Sequence, residues 1–143
     1  MSIIKKISSK YNVYGKDIAS SKESIEEISK FSTILIPDDY IELLNEATDI
    51  QISIEDAKDI MIWGVDRCIE MNDAYEIQQY IPKSLAIGDD GHGNALIYAT
   101  GERGFGLYVI AFNDLDIHEL QYVAGSLSDL LINNVGIDII TSC

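Results

Sequence analysis

The stretch Leu85–Phe112 reads LAIGDDGHGNALIYATGERGFGLYVIAF, and its alternation of apolar runs with glycine-rich turns decides the fold class. Leu85–Gly88 and Ala95–Ala99 are apolar runs of strand length joined by the glycine-rich segment Gly88–Asn94, and Gly104–Phe112 is a third run. Three successive strands without an intervening helix indicate an antiparallel or mixed sheet, because a parallel α/β fold alternates its strands with helices.

Helix start signals occur on both sides of these strands. Ser24 followed by Glu27 fits a capping box, so a helix is predicted to begin near Ser21 or Ser24. A second helix is predicted to begin at Pro37, because proline suits the first helical position. Serine is a good N-cap residue, and a final helix is therefore predicted to begin at Ser126.

Less regular patterns lie between the second helix and these strands. Ile50–Ile54 alternates apolar with polar residues, which is the period of a strand. Ile60–Val65 is a short apolar run, typical of a buried strand. Residues 71–80 predict a short polar helix, which ends before Pro82 because a proline disfavours helical geometry in the residue that precedes it.

Length and composition are those of one globular domain. A chain of 143 residues can bury a sizeable core, and 47% apolar with 24% charged residues excludes collagen, coiled coil and wholesale disorder. We therefore predict an α+β fold with a single domain over residues 1–143. Its mostly antiparallel (mixed) β-sheet is expected to pack against N-terminal and C-terminal helices, with residues 1–20 as a loosely attached segment.

The charge is strongly negative and unevenly distributed. The formal net charge is −14, and residues 38–76 carry twelve acids against Lys58 and Arg67. Such a charge disfavours binding to nucleic acid and to anionic membranes, and it favours rapid capture of a basic partner. No long apolar stretch follows the N-terminus and only two cysteines occur, so we expect a cytoplasmic protein.

The glycine-rich segment offers no convincing phosphate or metal site. Gly88 and Gly93 have the spacing of a phosphate-binding loop, but Asn94 and Ala95 replace the required Lys and Ser or Thr. Asp89 and its neighbour would also repel phosphate, and the oxygen ligands lack the spacing of a calcium loop. A tight connection between strands is the favoured interpretation.

Other reactive side chains are few. His92 and His118 would need to converge with Cys68 or Cys143 to bind zinc, and no metal-binding motif joins them. Arg67 beside Cys68 could activate that thiol, although a passive cysteine is the favoured alternative. We therefore expect no cofactor, no metal and no catalytic residue, and the protein is not predicted to be an enzyme.

Two stretches together resemble one protein family. The first runs from Asn72 through Tyr75-Glu76 to Tyr80-Ile-Pro82, and the second is Ile87–Asn94, which reads IGDDGHGN. With the Pro37 helix upstream, they resemble the SUKH superfamily, the Smi/Knr-like proteins, over about residues 22–132. The positions that carry the motif are Pro37, Tyr40, Asn72, Pro82, Gly88, Gly91, Gly93 and Asn94.

The resemblance implies a binding function. Bacterial SUKH proteins look like immunity proteins, which are non-catalytic α+β domains that bind and neutralise a cognate polymorphic toxin, often a nuclease. The alternative is a general regulatory or scaffold domain, as in the fungal cell-wall-synthesis regulators. A third hypothesis is a small-ligand binder or enzyme with a cleft near Gly88–Asn94 that uses Asp90 or Glu76.

A toxin with a basic active-site cleft would be a suitable partner for so acidic a protein. We expect a monomer or weak dimer that binds neither nucleic acid nor membrane. Amphipathic aromatics often anchor interfaces, although core packing is the alternative for each, and the acids of residues 38–76 are either a binding surface or a solvated face. The candidate toxin-binding residues are Asp66, Glu70, Asp73, Glu76, Asp89, Asp90, Tyr75 and Tyr80.

Overall fold

A seven-stranded sheet dominates the computed structural model, which describes residues 2–55 and 58–142. The strands lie in the sheet in chain order, and each pairs antiparallel with the next, so the predicted α+β class and antiparallel sheet are confirmed. The strands are β1 (Tyr11–Asp17), β2 (Thr48–Ile54), β3 (Lys58–Ile62), β4 (Leu85–Asp89), β5 (Asn94–Gly101), β6 (Gly104–Ala111) and β7 (Gln121–Ala124).

Helices fill the longer connections of this meander. Two lie between β1 and β2, two between β3 and β4, and two follow β7. The helices are α1 (Ile3–Lys6), α2 (Lys22–Phe31), α3 (Asp38–Leu44), α4 (Val65–Ala74), α5 (Ile77–Tyr80), α6 (Leu127–Asn133) and α7 (Ile137–Thr141), with a 3₁₀ turn at Ile117–Glu119. The helix predicted to start at Ser126 is confirmed, because the Ser126 hydroxyl accepts a hydrogen bond from the Asp129 amide at 3.1 Å.

The N-terminal segment is not loosely attached, contrary to the prediction. Its strand β1 forms the edge of the sheet against β2, and Tyr11 is buried with its hydroxyl donating to the Leu130 carbonyl at 2.6 Å. Ile3 in α1 is buried as well. The sequence signal is weak because an edge strand buries few side chains, and in β1 only Tyr11 is fully covered.

One predicted helix start is confirmed and other boundaries were wrong. Helix α2, predicted to begin near Ser21 or Ser24, is capped by Ser21, which accepts from the Ser24 amide at 3.1 Å, although Ser24 does not start a capping box. Pro37 lies just before α3 and not inside it. The apolar run predicted as one strand over 60–65 leaves the sheet after Ile62, and the next helix begins at Val65.

Helix α4 is fixed to the sheet through two buried side chains, Asn72 and Cys68, and the Cys68 thiol donates to the Ala86 carbonyl at 3.2 Å. The β3–β4 ladder ends early, with Trp63 N–H donating to the Ile87 carbonyl at 2.8 Å. Beyond that point the Asn72 amide takes the place of the missing strand. Its Nδ2 donates to the Ala86 carbonyl at 2.8 Å, and its Oδ1 accepts from the Ala86 amide at 3.0 Å. Both backbone groups of Ala86 are thereby satisfied in the core.

The glycine-rich turn is built around the carboxylate of Asp90, which is buried. One oxygen accepts from the backbone amides of His92 and Asn94, at 2.8 and 3.1 Å. The other accepts from the Asn94 side-chain amide at 2.8 Å and from Lys58 Nζ at 3.0 Å. Lys58 Nζ also donates to the Ile140 carbonyl at 3.1 Å, which ties α7 to the turn.

Two glycines allow the backbone to form this turn. Gly91 and Gly93 have φ of +72° and +88°, a region that glycine adopts at little cost. Burial alone would raise the pKa of Asp90, but the hydrogen bonds from Asn94, His92 and Lys58 outweigh it and hold the pKa below its ordinary value of 3.8. The turn therefore depends on an ionised Asp90.

Asn72→Ala should destabilise the protein by about 3 kcal/mol, because it removes the acceptor of the buried Ala86 amide and leaves the Ala86 carbonyl with the weaker Cys68 thiol donor. Urea unfolding followed by circular dichroism measures the difference. Gln79→Ala, on the exposed side of α5, is the matched control and should cost less than about 0.5 kcal/mol. A loss below about 1 kcal/mol for Asn72→Ala would contradict this role.

Asp90→Asn should cost about 3 kcal/mol at neutral pH, because it removes the carboxylate that pairs with the buried Lys58 ammonium. The folded-state pKa of Asp90 is lowered, so its contribution is complete above 3.8 and is lost as the pH falls through that folded-state pKa. The difference in unfolding free energy between wild type and variant should therefore narrow in acid. Urea titrations from about pH 7 to about pH 3 measure it.

The control for this series is Glu102→Gln, which removes one charge from the exposed β5–β6 hairpin. Its stability should follow the wild type at every pH. A difference in unfolding free energy between wild type and Asp90→Asn that stays constant from neutral to acid pH would show that the ionised carboxylate is not what supports the turn.

Candidate functional site

Helix α4 presents a row of carboxylates to solvent. Asp66, Glu70 and Asp73 are separated by four and three residues, which places them on one helix face, and all three are exposed. No ion pair or side-chain hydrogen bond is found for them within residues 2–55 and 58–142. We call these three residues the acidic stripe, and they extend over about one and a half to two helical turns.

The chain turns sharply where the acidic stripe ends. Glu76 adopts a left-handed conformation with φ of +53° between α4 and α5. The turn leaves Tyr75 and Tyr80 unusually accessible, with 42% and 52% of their surfaces exposed. Three of the predicted site residues, Tyr75, Glu76 and Tyr80, are therefore brought together at one end of α4.

These three residues form one wall of a cleft of about 450 Å³. The opposite wall is the segment that follows β6, which supplies Phe112, Asp114 and Leu115. We call this feature the acidic–aromatic cleft. Among the described residues, neither Glu76 nor Asp114 has an ion-pair partner, so the cleft contains two uncompensated carboxylates beside aromatic rings.

An aromatic stack leads from the core into this cleft. The rings of Trp63 and Phe112 are stacked with centroids 6.4 Å apart, and Phe112 contacts Tyr75 at 4.4 Å with an interplanar angle of 30°. Trp63 is fully buried, and its indole Nε1 donates to Asp89 Oδ2 at 2.7 Å. The stack therefore begins in the core and ends at the accessible ring of Tyr75.

The structure places Asp89 and Asp90 in structural contacts, not on an open charged surface. Asp89 is half-buried, and it accepts from Trp63 and from the Gly91 amide at 2.9 Å. Asp90 is buried in its ion pair with Lys58, at 3.0 Å. Asp90 is therefore not an exposed charge for a partner, while a contact between a partner and the half-buried Asp89 stays a prediction.

The interior of the glycine turn has no room for a ligand. The cavity bounded by Asp89, Asp90 and Asn94 measures about 10 Å³, enough for one water molecule at most. The third hypothesis from the sequence, a cleft near Gly88–Asn94, stays a prediction, although a ligand has no space inside the turn. A separate cleft of about 330 Å³ lies outside it, where Asn94 faces Asp114, His118 and Glu119.

Nucleophilic and metal-binding groups do not converge in the part of the chain that the structure describes. Within it, no group of three His, Cys, Asp or Glu side chains could hold a metal ion. Cys68 is buried, and burial raises the pKa of its thiol to about 12, so Arg67 does not activate it. Cys143, the other cysteine considered as a zinc ligand, lies outside the described residues.

The residues of the family motif have structural contacts. The Tyr40 hydroxyl donates to the Trp63 carbonyl at 2.7 Å, and Asn72 holds α4 against β4. A Cβ atom at Gly88 would clash with the Met61 carbonyl oxygen, so only glycine allows β3 and β4 to approach. Gly91, Gly93 and Asn94 shape the turn, and Pro37 and Pro82 flank helices α3 and α5.

A second cleft, which the sequence did not indicate, lies at the other end of β6. We call it the apolar groove, and its volume is about 550 Å³. Leu35 and Phe105 line it and are 94% and 49% exposed. β6 runs from one cleft to the other, so Phe105 and Phe112 are separated by about 23 Å along the strand.

Sequence reasoning missed half of the acidic–aromatic cleft. Phe112 was visible only as the end of a predicted strand, and Asp114 only as one acid among many. They lie close to Tyr75 and Glu76 because β6 is positioned beside the α4–α5 turn. The signal that could have found them is the aromatic residue at the strand end, followed closely by an acid.

Comparison with known proteins identifies the family. The profile of the SMI1 / KNR4 family (SUKH-1) matches residues 19–133, which is most of the chain. A search of curated proteins found no match to the chain. None of the helices in the described segments is both long enough and apolar enough to cross a membrane. The match spans α2 to α6, including the Asn72 contact and the glycine-rich turn. The chain belongs to the SMI1 / KNR4 family (SUKH-1).

Proposed function

We propose that this protein is an immunity protein that binds a cognate toxin in the cytoplasm of the producing cell and neutralises it stoichiometrically. Family membership is consistent with such a role. The observation that carries the proposal is the acidic stripe, an exposed row of unpaired carboxylates that leads directly to a cleft with accessible aromatic rings. Acids at the rim with aromatics at the centre are the arrangement of many protein-binding surfaces.

The partner that fits this surface is a basic protein domain, such as the catalytic domain of a nuclease-type toxin. A nuclease presents cationic groups to the phosphates of its substrate, and the acidic stripe complements such a surface. The net charge of −14 would accelerate encounter through long-range attraction. Tyr75 and Tyr80 would then determine how long the complex lasts, because buried aromatic contacts mainly govern dissociation.

Inhibition by occupation of a partner's cleft requires no catalytic group in the inhibitor. The proposed activity is therefore non-catalytic, with one inhibitor molecule for each toxin molecule.

The apolar groove favours a second function, that of a general scaffold domain with several partners. Leu35 is almost completely exposed there, and an exposed apolar patch is typical of a protein-binding surface. A scaffold would bind through this groove with little dependence on salt, whereas an acidic inhibitor would bind through α4 with strong dependence on salt.

Charge reversal of the acidic stripe tests the proposal. The triple variant Asp66→Lys, Glu70→Lys, Asp73→Lys should associate with its toxin about 10-fold to 100-fold more slowly at low salt, while dissociation changes little. The first step is to find a neighbouring gene that encodes a toxin with a basic C-terminal domain, and the test uses that domain in catalytically inactive form. Stopped-flow association rates at low and high salt measure the effect.

The matched control reverses three exposed acids elsewhere, Glu23→Lys, Glu26→Lys and Glu27→Lys in α2, and so changes the net charge equally. Its association rate should fall less, because these acids lie on the neighbouring helix α2 and not on the acidic stripe itself. Equal losses in both variants would place the interface elsewhere. Failure of the wild-type protein to bind or protect against the neighbouring toxin would contradict the proposed function.

A further inference from the structure

We propose that the acidic–aromatic cleft binds one arginine side chain of the partner protein, stacked on Tyr75 and paired with Glu76 and Asp114. This inference rests on the proposed function for the identity of the partner, but the cleft itself can be tested without any toxin. It assigns a chemical specificity to the cleft that acidic charge alone would not give.

The aromatic stack supplies the first argument. Trp63, Phe112 and Tyr75 follow one another at 6.4 and 4.4 Å, from a fully buried ring to an accessible one. Phe112 supports the Tyr75 ring from within, so that ring offers a firm accessible surface at the mouth of the cleft. A guanidinium group is planar and weakly hydrated, and it stacks on an aromatic ring more readily than an ammonium does.

The charges supply the second argument. Glu76 and Asp114 line the same cleft from opposite walls, and no described cation pairs with either of them. Burying an aromatic surface against a partner would leave these two carboxylates poorly solvated, unless the partner brings a positive charge. Arginine is always ionised and presents five N–H donors in a planar fork, so it can contact the ring and a carboxylate together.

The size and lining of the cleft agree with this occupant. Its volume of about 450 Å³ lies within the range of small-ligand pockets, which is roughly 300–1,000 Å³. Tyr80 and Leu115 provide apolar surface for the methylene groups of a long side chain. An anion would meet two carboxylates here, and a purely apolar side chain would leave both of them unpaired.

The test is a titration of the full-length protein with N-acetyl-arginine methylamide, followed by NMR chemical shifts of the backbone amides. The matched probe is N-acetyl-citrulline methylamide, which has nearly the same shape without the charge. We expect saturable shifts at residues 74–76 and 112–115 with a millimolar dissociation constant for the arginine probe. The citrulline probe should bind at least about tenfold more weakly, because it forms no charged hydrogen bonds.

Two variants separate ring stacking from charge. Tyr75→Leu should weaken binding of the arginine probe several-fold. It should also abolish the difference in affinity between the arginine probe and the equivalent probe with a lysine side chain. The double variant Glu76→Gln, Asp114→Asn should weaken it about tenfold, whereas Asp66→Asn, Asp73→Asn removes the same charge from the acidic stripe and should have little effect. Unchanged amide spectra of the free variants confirm that each is folded.

Three results would overturn the inference: no shifts at the cleft, equal shifts with arginine and citrulline probes, or equal weakening by the two double variants. These outcomes are distinct from failure of the proposed function. If the cleft binds the arginine probe but no toxin is neutralised, the recognition chemistry stands and the partner is of another class. If the toxin is neutralised but the arginine probe does not bind, only this inference fails.

Discussion

The fold depends on the hydrogen bonds that replace a strand where it leaves the sheet, because its departure would otherwise leave the backbone of the neighbouring strand unpaired. Strand β3 ends at Ile62 so that the chain can form α4, and this departure would leave the backbone of Ala86 without a partner in the core. The amide of Asn72 provides both missing hydrogen bonds, as a paired strand would. Because Asn72 lies on the inner face of α4, the same contact that completes the sheet fixes the rotation of the helix.

That fixed rotation determines the candidate binding surface. With Asn72 and Cys68 turned inward, Asp66, Glu70 and Asp73 must face solvent, since helix geometry leaves them no other side. The end of the helix then places Tyr75 against Phe112, which lies directly after the last residue of β6. The acidic stripe and the acidic–aromatic cleft are thus consequences of one interior contact, and the proposed recognition of a basic partner rests on their exposed chemistry.

The sequence was informative wherever local chemistry specifies local structure. The strands of residues 85–112 and the Ser126 cap follow from apolar runs, glycine turns and a hydroxyl, all of which act over a few residues. Strands β1 and β7 and helix α7 were missed because they are edge or terminal elements held by distant partners. The start of α4 was not predicted, because an apolar run that leaves a sheet has the same sequence pattern as a strand.

The charged residues show the same difference between features that local sequence predicts and features that depend on residues distant in the chain. The acid-rich composition of residues 38–76 indicated the charges that lie on α4, whereas the partner of Asp90 lies 32 residues earlier in the chain at Lys58. Nothing local distinguishes the buried Asp90 from an exposed acid. In the same way Tyr75 and Glu76 were found from the family resemblance, while Phe112 and Asp114 became visible only when β6 was placed beside them.

The most direct test of this account is amide hydrogen exchange on the full chain, free and in complex with the basic toxin domain. The account predicts that protection on binding is concentrated in residues 66–80 and 112–116, which comprise the outer face of α4 and both walls of the acidic–aromatic cleft. Protection confined to residues 33–38 and 100–105, around the apolar groove at the opposite end of β6, would contradict it.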